Sequence, residues 1–190
     1  MKERPILFSG PMVNAILDGR KTQTRRVVKP QGAILTDELA RSLGVRPPET
    51  KNQPVIACPY GAVGDRLWVR ETWFSPPKPN NECIGFAADR EYPPDVVYRK
   101  RPSIHMPRWA SRITLEVTGV RVERLQDISD ADCVAEGCPG WYSPMHPDQG
   151  NTDGRTPSEE YRDLWESIHG PKSWEANDWV WVVEFARITG

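Results

Sequence analysis

Residues 113–125, Ile-Thr-Leu-Glu-Val-Thr-Gly-Val-Arg-Val-Glu-Arg-Leu, alternate apolar and polar side chains over a length that reads as one long half-buried β-strand. Such a strand has to be placed among others, and the chain supplies them. Residues 5–10 read as a short strand, Thr22 and Thr24 start another that fades by Pro30, and 66–73 alternate after the Gly61–Asp65 turn. The final run, Trp179–Ile188, is apolar on both faces for most of its length, which predicts a central position. Helices are fewer. Ser9-Gly10-Pro11 opens one with Val13, Ile16 and Leu17 as its apolar stripe and Gly19 as its stop. Ser129-Asp130-Ala131-Asp132 is a capping pattern for a short helix over 130–136, ended by Gly137, with Glu136 on its last turn. Thr156-Pro157-Ser158-Glu159 caps another, with Tyr161, Leu164, Trp165 and Ile168 as a core face and Gly170 as its end. Separated strands with few helices predict an α+β fold built on a small, mostly antiparallel β-barrel with flanking helices.

At 190 residues the chain is read as one domain, 1–190, with long insertions at about 30–57, 75–108 and 138–155, each rich in proline, glycine or polar residues. The middle insertion has room for a strand near Val96–Arg99. No apolar run approaches the ~20 residues that span a bilayer, and Met-Lys-Glu-Arg-Pro has no secretory pattern, so the expectation is a cytoplasmic protein without membrane partners. The cysteines at 58, 83, 133 and 138 form no CxxC pair and no finger or ribbon spacing. Neither a metal site nor a cofactor is expected.

The formal charge of −1 hides an uneven distribution. Residues 1–30 carry seven Lys/Arg against two Asp/Glu, and 90–124 carry eight against four, while 125–190 carry four against thirteen. If the two basic segments are neighbours they make a cationic face suited to phosphates; otherwise the charge is scattered over the surface. Gly19-Arg20-Lys21-Thr22-Gln23-Thr24-Arg25-Arg26 sits directly behind the first helix, where a left-handed glycine can turn the chain and aim Lys21 and Thr24 into a cleft. The bland alternative is a solvated basic strand. In 66–70, Arg66, Trp68 and Arg70 share one face, which either packs the tryptophan inside or offers stacking and phosphate contacts, and Arg108-Trp109 offers the same pair of groups. A glutamate at position 136 opposes the helix dipole, which is unusual for a purely surface residue.

The run Ile16–Arg25, the Gly64-Asp65 turn before Leu67-Trp68-Val69, the strand 113–122 leading to Ala135-Glu136-Gly137, and the terminal strand Trp181–Phe185 occur in an order that resembles the ASCH family of the PUA-like superfamily. Cys58-Pro59-Tyr60-Gly61 and Val69-Arg70-Glu71-Thr72-Trp73 resemble its larger phage- or prophage-associated members. The resemblance implies a small β-barrel with a cleft between barrel and helices, and RNA or a modified nucleoside as partner. Some small members are N4-acetylcytidine amidohydrolases, and the correspondence implies catalytic roles for Lys21 as proton acceptor, Thr24 as nucleophile and Glu136 as proton donor. Ligand contacts are then expected from Gly19, Arg20, Arg25, Arg26, Arg66, Trp68, Arg70, Arg108 and Trp109. A binding module without chemistry and a single-strand ribonuclease are the alternatives.

Overall fold

The computed structural model describes residues 1–29, 57–76, 85–89, 98–140 and 155–188. Strand β1 (Glu3–Leu7) leads through Ser9 into helix α1 (Gly10–Leu17), where Pro11 occupies the first turn and Val13, Ala15 and Ile16 are buried. Gly19 is left-handed at φ 74°, and the amides of Arg20 and Lys21 both bond back to the Ala15 carbonyl at 2.9 Å. The reversed chain becomes β2 (Gln23–Val27). Strands β3 (Arg66–Arg70), β7 (Thr114–Arg124) and β8 (Trp179–Arg187) complete a five-stranded sheet in the order β1-β3-β7-β8-β2. A smaller sheet holds β4 (Trp73–Ser75) between β5 (Gly85–Phe86) and β6 (Arg99–Arg101).

The expected α+β class with a mostly antiparallel sheet describes this arrangement, with two adjustments. The pair β1/β3 is parallel. The sheet also stays open: among the described residues no backbone ladder joins its edge strands, and what spans them is the Arg26 side chain, donating from Nη2 to the Leu7 carbonyl at 2.8 Å.

The final strand is apolar on both faces because each face serves a different core. Val183 and Phe185 pack with Ile6, Val13, Leu67, Leu115 and Val117 beneath α1. Val180 and Val182 pack with Leu125, Cys133, Tyr161 and Trp165 beneath helices α2 (Asp130–Ala135) and α3 (Pro157–His169). Burial here pushes the thiols of Cys133 and Cys138 up to about 11 and about 12, which makes them core side chains and poor nucleophiles.

Two local expectations need correction. Residues 66–73 are not one strand: the chain leaves the large sheet at Glu71, whose buried carboxylate takes Arg112 at 2.9 and 3.1 Å, and Trp73 starts again in the small sheet. Ile168 is 62 % exposed, because the buried stripe of α3 rests on Tyr161 and Trp165 and its last turn overhangs a cleft. The 30–57 insertion falls almost wholly outside the described residues, as do 77–84, 90–97 and 141–154 of the other two.

Gly137 ends α2 at φ 95°, and a Cβ there would stand 3.3 Å from the Ala15 Cβ. Gly137→Ala should therefore cost about 1–2 kcal/mol, from left-handed strain with crowding added. Urea unfolding should show a lower midpoint at unchanged slope; an unchanged midpoint would contradict the strain argument.

Candidate functional site

The turn at Gly19 determines where Lys21 goes. Its neighbour Thr22 donates its amide to the Ala135 carbonyl at 2.9 Å, tying the start of β2 to the end of α2. The start of α2 is fixed by a capping box in which the Asp132 amide donates to Ser129 Oγ at 3.1 Å and the Ser129 amide donates to Asp132 Oδ2 at 3.5 Å. Glu136 caps the helix, and Lys21 Nζ donates to both its carbonyl and its Oε2 at 2.7 Å. The side chains are 2 % and 5 % exposed, so this is an ion pair withdrawn from water. The carboxylate at the unfavourable end of the dipole is compensated by these cations.

Arg25 makes the other contact. Its side chain is completely buried, reaching Glu136 Oε1 at 3.3 Å, Asp132 at 3.3 Å and Glu123 through Nε at 3.0 Å. Arg121 continues the network to Glu123 and Asp132, each at 3.1 Å, and to Glu184. Gln23 Nε2 adds hydrogen bonds of 2.9 Å to the Asp132 carbonyl and side chain. Burial works against the charge on Arg25, but Glu136 and Glu123 outweigh it and hold its pKa above the usual value. For Lys21 the balance reverses: burial is the dominant cause and lowers its pKa despite Glu136.

Strand alternation turns Gln23 and Arg25 towards α2 and places Thr24 and Arg26 on the other face of β2. Lys21, Thr24 and Glu136 nevertheless line one small cleft. Phe8 and Met12 flank it from the β1–α1 side, and Tyr161, Trp165 and His169 from α3. Lys21 Nζ lies 5.7 Å and the Arg26 guanidinium 5.3 Å from the Phe8 ring centre. Trp165 and His169 stack at 4.1 Å with 31° between their planes.

Sequence reasoning missed Phe8, Trp165 and His169 as cleft walls and Glu123 and Asp132 as the support of Arg25. The spacing of Trp165 and His169, four apart on one helix, was the only local signal. Arg25 also lines the cleft, with its guanidinium held by three carboxylates of the protein, and most of the other expected contacts fall elsewhere. Arg20 pairs with Asp18 at 2.8 Å, and Gly19 serves the turn. Trp68 is buried with Arg70 stacked on it at 4.8 Å, and Arg70 Nε is engaged with the Met106 carbonyl at 3.0 Å. The tryptophan thus packs inside, and neither it nor Arg66 lines the cleft. Arg108 pairs with Glu3 at 3.0 Å, while Trp109 is 48 % exposed and meets Trp73 edge-on at 5.6 Å. Of the expected ligand contacts outside the catalytic set, Arg26 lines the cleft with a guanidinium that no carboxylate holds among the described residues.

Fold and site together define an α+β protein with a buried lysine–glutamate pair at the base of an aromatic-walled cleft. No family model matches the chain, and no curated protein does. Among solved structures it is similar to the crystal structure of an ASCH domain from Lactobacillus crispatus, at 11% identity and a TM-score of 0.43, over 98% of this chain and 79% of that one. Among the described residues no cluster of His, Cys, Asp or Glu could hold a metal ion, and no helix is long and apolar enough to cross a membrane.

Proposed function

We propose that this chain is an ASCH-type protein whose cleft takes a modified pyrimidine base, in a nucleoside or in RNA, and that it hydrolyses the acyl amide of N4-acetylcytidine. The observation that carries the reading is the contact of Lys21 with Glu136 in a cleft that Thr24 also lines, although 115 positions separate the pair. Phe8 and Trp165 supply flat apolar surface for a base. The lysine suits the chemistry, since its pKa is lowered and a neutral amine is the form that accepts a proton.

In the proposed reaction Thr24 Oγ bonds to the acetyl carbon as its proton passes to neutral Lys21. The tetrahedral intermediate collapses with breakage of the C–N4 bond, and the departing nitrogen takes the proton back from Lys21. Water then cleaves the threonyl ester, giving acetate and restoring Thr24. Both Glu136 oxygens accept from cations, so its role here is to orient Lys21 and share the proton in transit, with the lysine as the direct donor to the leaving amine.

Incubation with N4-acetylcytidine should release cytidine and acetate in equal amounts by mass spectrometry, and Thr24→Val should stop the release. No release by the unaltered protein would sink the hydrolytic reading. The second reading, binding of RNA without chemistry, draws on the fact that Lys21 and Arg25 are matched internally by carboxylates, as in a purely structural network. It expects salt-sensitive RNA binding with no cytidine release.

A further inference from the structure

The cleft is not closed at the Arg26 side. A second, larger pocket begins there, and Arg26 and His169 line both. Its remaining lining includes Lys29, Tyr60 and the edge of buried Trp181. Among the described residues this lining carries Arg26, Lys29 and His169 and no carboxylate, whereas the buried cations Lys21 and Arg25 are matched by acidic partners. Arg26 commits two N–H groups to the Arg25 and Leu7 carbonyls at 3.3 and 2.8 Å, out of the five that a guanidinium offers. Arg26 and Lys29 also stand close enough to His169 to help depress its pKa, after burial as the larger cause and with Asp178 acting the other way. Two cations, Arg26 and Lys29, in a lining that carries no carboxylate among the described residues form a site for an anion.

We propose that this second cavity is a phosphate subsite continuous with the base cleft, so that the ligand is a pyrimidine nucleotide and not a free nucleoside. The inference rests on the reading of the first cleft as a base site. One sugar joins a base to its phosphate, so the two groups must occupy neighbouring pockets, and the shared Arg26 and His169 provide that adjacency. Lys29 supplies the charge, Arg26 the directed donors, and Tyr60 a flat surface for whatever continues beyond the phosphate. The phosphate can belong to a mononucleotide or to an internal position of RNA, and the chemistry of the subsite is the same for both.

The test is equilibrium binding of N4-acetylcytidine, its 5′-monophosphate, and a short single-stranded RNA with one central N4-acetylcytidine. Measurements use the full chain and its Lys29→Glu variant at two salt concentrations. Lys29 is exposed, so the variant should fold, and a circular dichroism melt checks that it has. The phosphorylated ligands should bind about tenfold or more tightly than the nucleoside at low salt. That advantage should shrink with salt and disappear in Lys29→Glu. An oligomer that outbinds the monophosphate identifies RNA as the source of the phosphate; equal affinity identifies the free nucleotide. Equal binding of nucleoside and phosphorylated ligands, or an advantage unchanged in Lys29→Glu, overturns the subsite and leaves the base cleft standing. Binding of none of the three overturns both.

Discussion

Replacing Glu136 by alanine should lower the free energy of unfolding by about 3–5 kcal/mol, the range expected when one partner of a buried ion pair is removed. The size follows from what is left behind. Lys21 would lose both its carboxylate partner and its reason to be ionised, at a side chain 2 % exposed, and Arg25 would lose one of three carboxylates while completely buried. Lys21 can release its proton; Arg25 cannot and depends on Glu123 and Asp132. Glu136→Gln keeps the shape and two acceptor directions and should cost less. A double variant, Lys21→Met with Glu136→Leu, should recover much of the loss, since a packed apolar pair avoids the desolvation that the charges incur. Urea unfolding of the unaltered protein, Lys21→Met, Glu136→Leu and the double variant forms the cycle, with Glu136→Ala and Glu136→Gln measured beside it. A loss under ~1 kcal/mol in Glu136→Ala would mean the pair behaves as an exposed one does, against the burial found here.

What the sequence made legible was mostly local. The first helix is written in Ser9, Pro11 and Gly19, and both later helices carry capping boxes that form as spelled, at Ser129–Asp132 and Thr156–Glu159. A period-two pattern located β7, because side-chain alternation follows directly from strand geometry, and a run apolar on both faces located β8. The same periodicity misled at Glu71, where a buried carboxylate keeps the alternation going while the backbone changes sheets. Pairing partners were invisible, since the parallel β1/β3 ladder joins residues more than sixty positions apart. For the site, residue types at 21, 24 and 136 could be named through a resemblance, but their convergence depends on the Thr22–Ala135 bond and the capping of α2. The arginines were the hardest to assign. Arg25 and Arg26 are adjacent in sequence, look alike and both line the cleft, yet opposite faces of one strand give Arg25 to an internal acidic network and leave Arg26 without a carboxylate among the described residues.

Lys21→Met should reduce cytidine release by about 10²–10⁴-fold, the usual contribution of a positioned acid–base group, and the unaltered protein should reveal the same group in its pH profile. Burial holds the Lys21 pKa below its ordinary value of 10.5, with Glu136 pulling it partway back. The neutral, proton-accepting form therefore accumulates at lower pH than for a free lysine. The rate should rise with pH through that depressed pKa and level off before 10.5. Glu136→Gln removes the groups that raise the pKa, so its rising limb should move to lower pH even if its plateau falls; the position of the limb is the readout. Stability should follow the same titration. Between the folded pKa of Lys21 and 10.5 the unfolded chain binds more protons than the folded one, so unfolding free energy should increase with pH across that window. Below it, the full penalty of burying the ammonium is present. A limb at the ordinary lysine value, or one that Glu136→Gln leaves in place, would remove Lys21 from the role of base and return the cleft to a site that only holds its ligand.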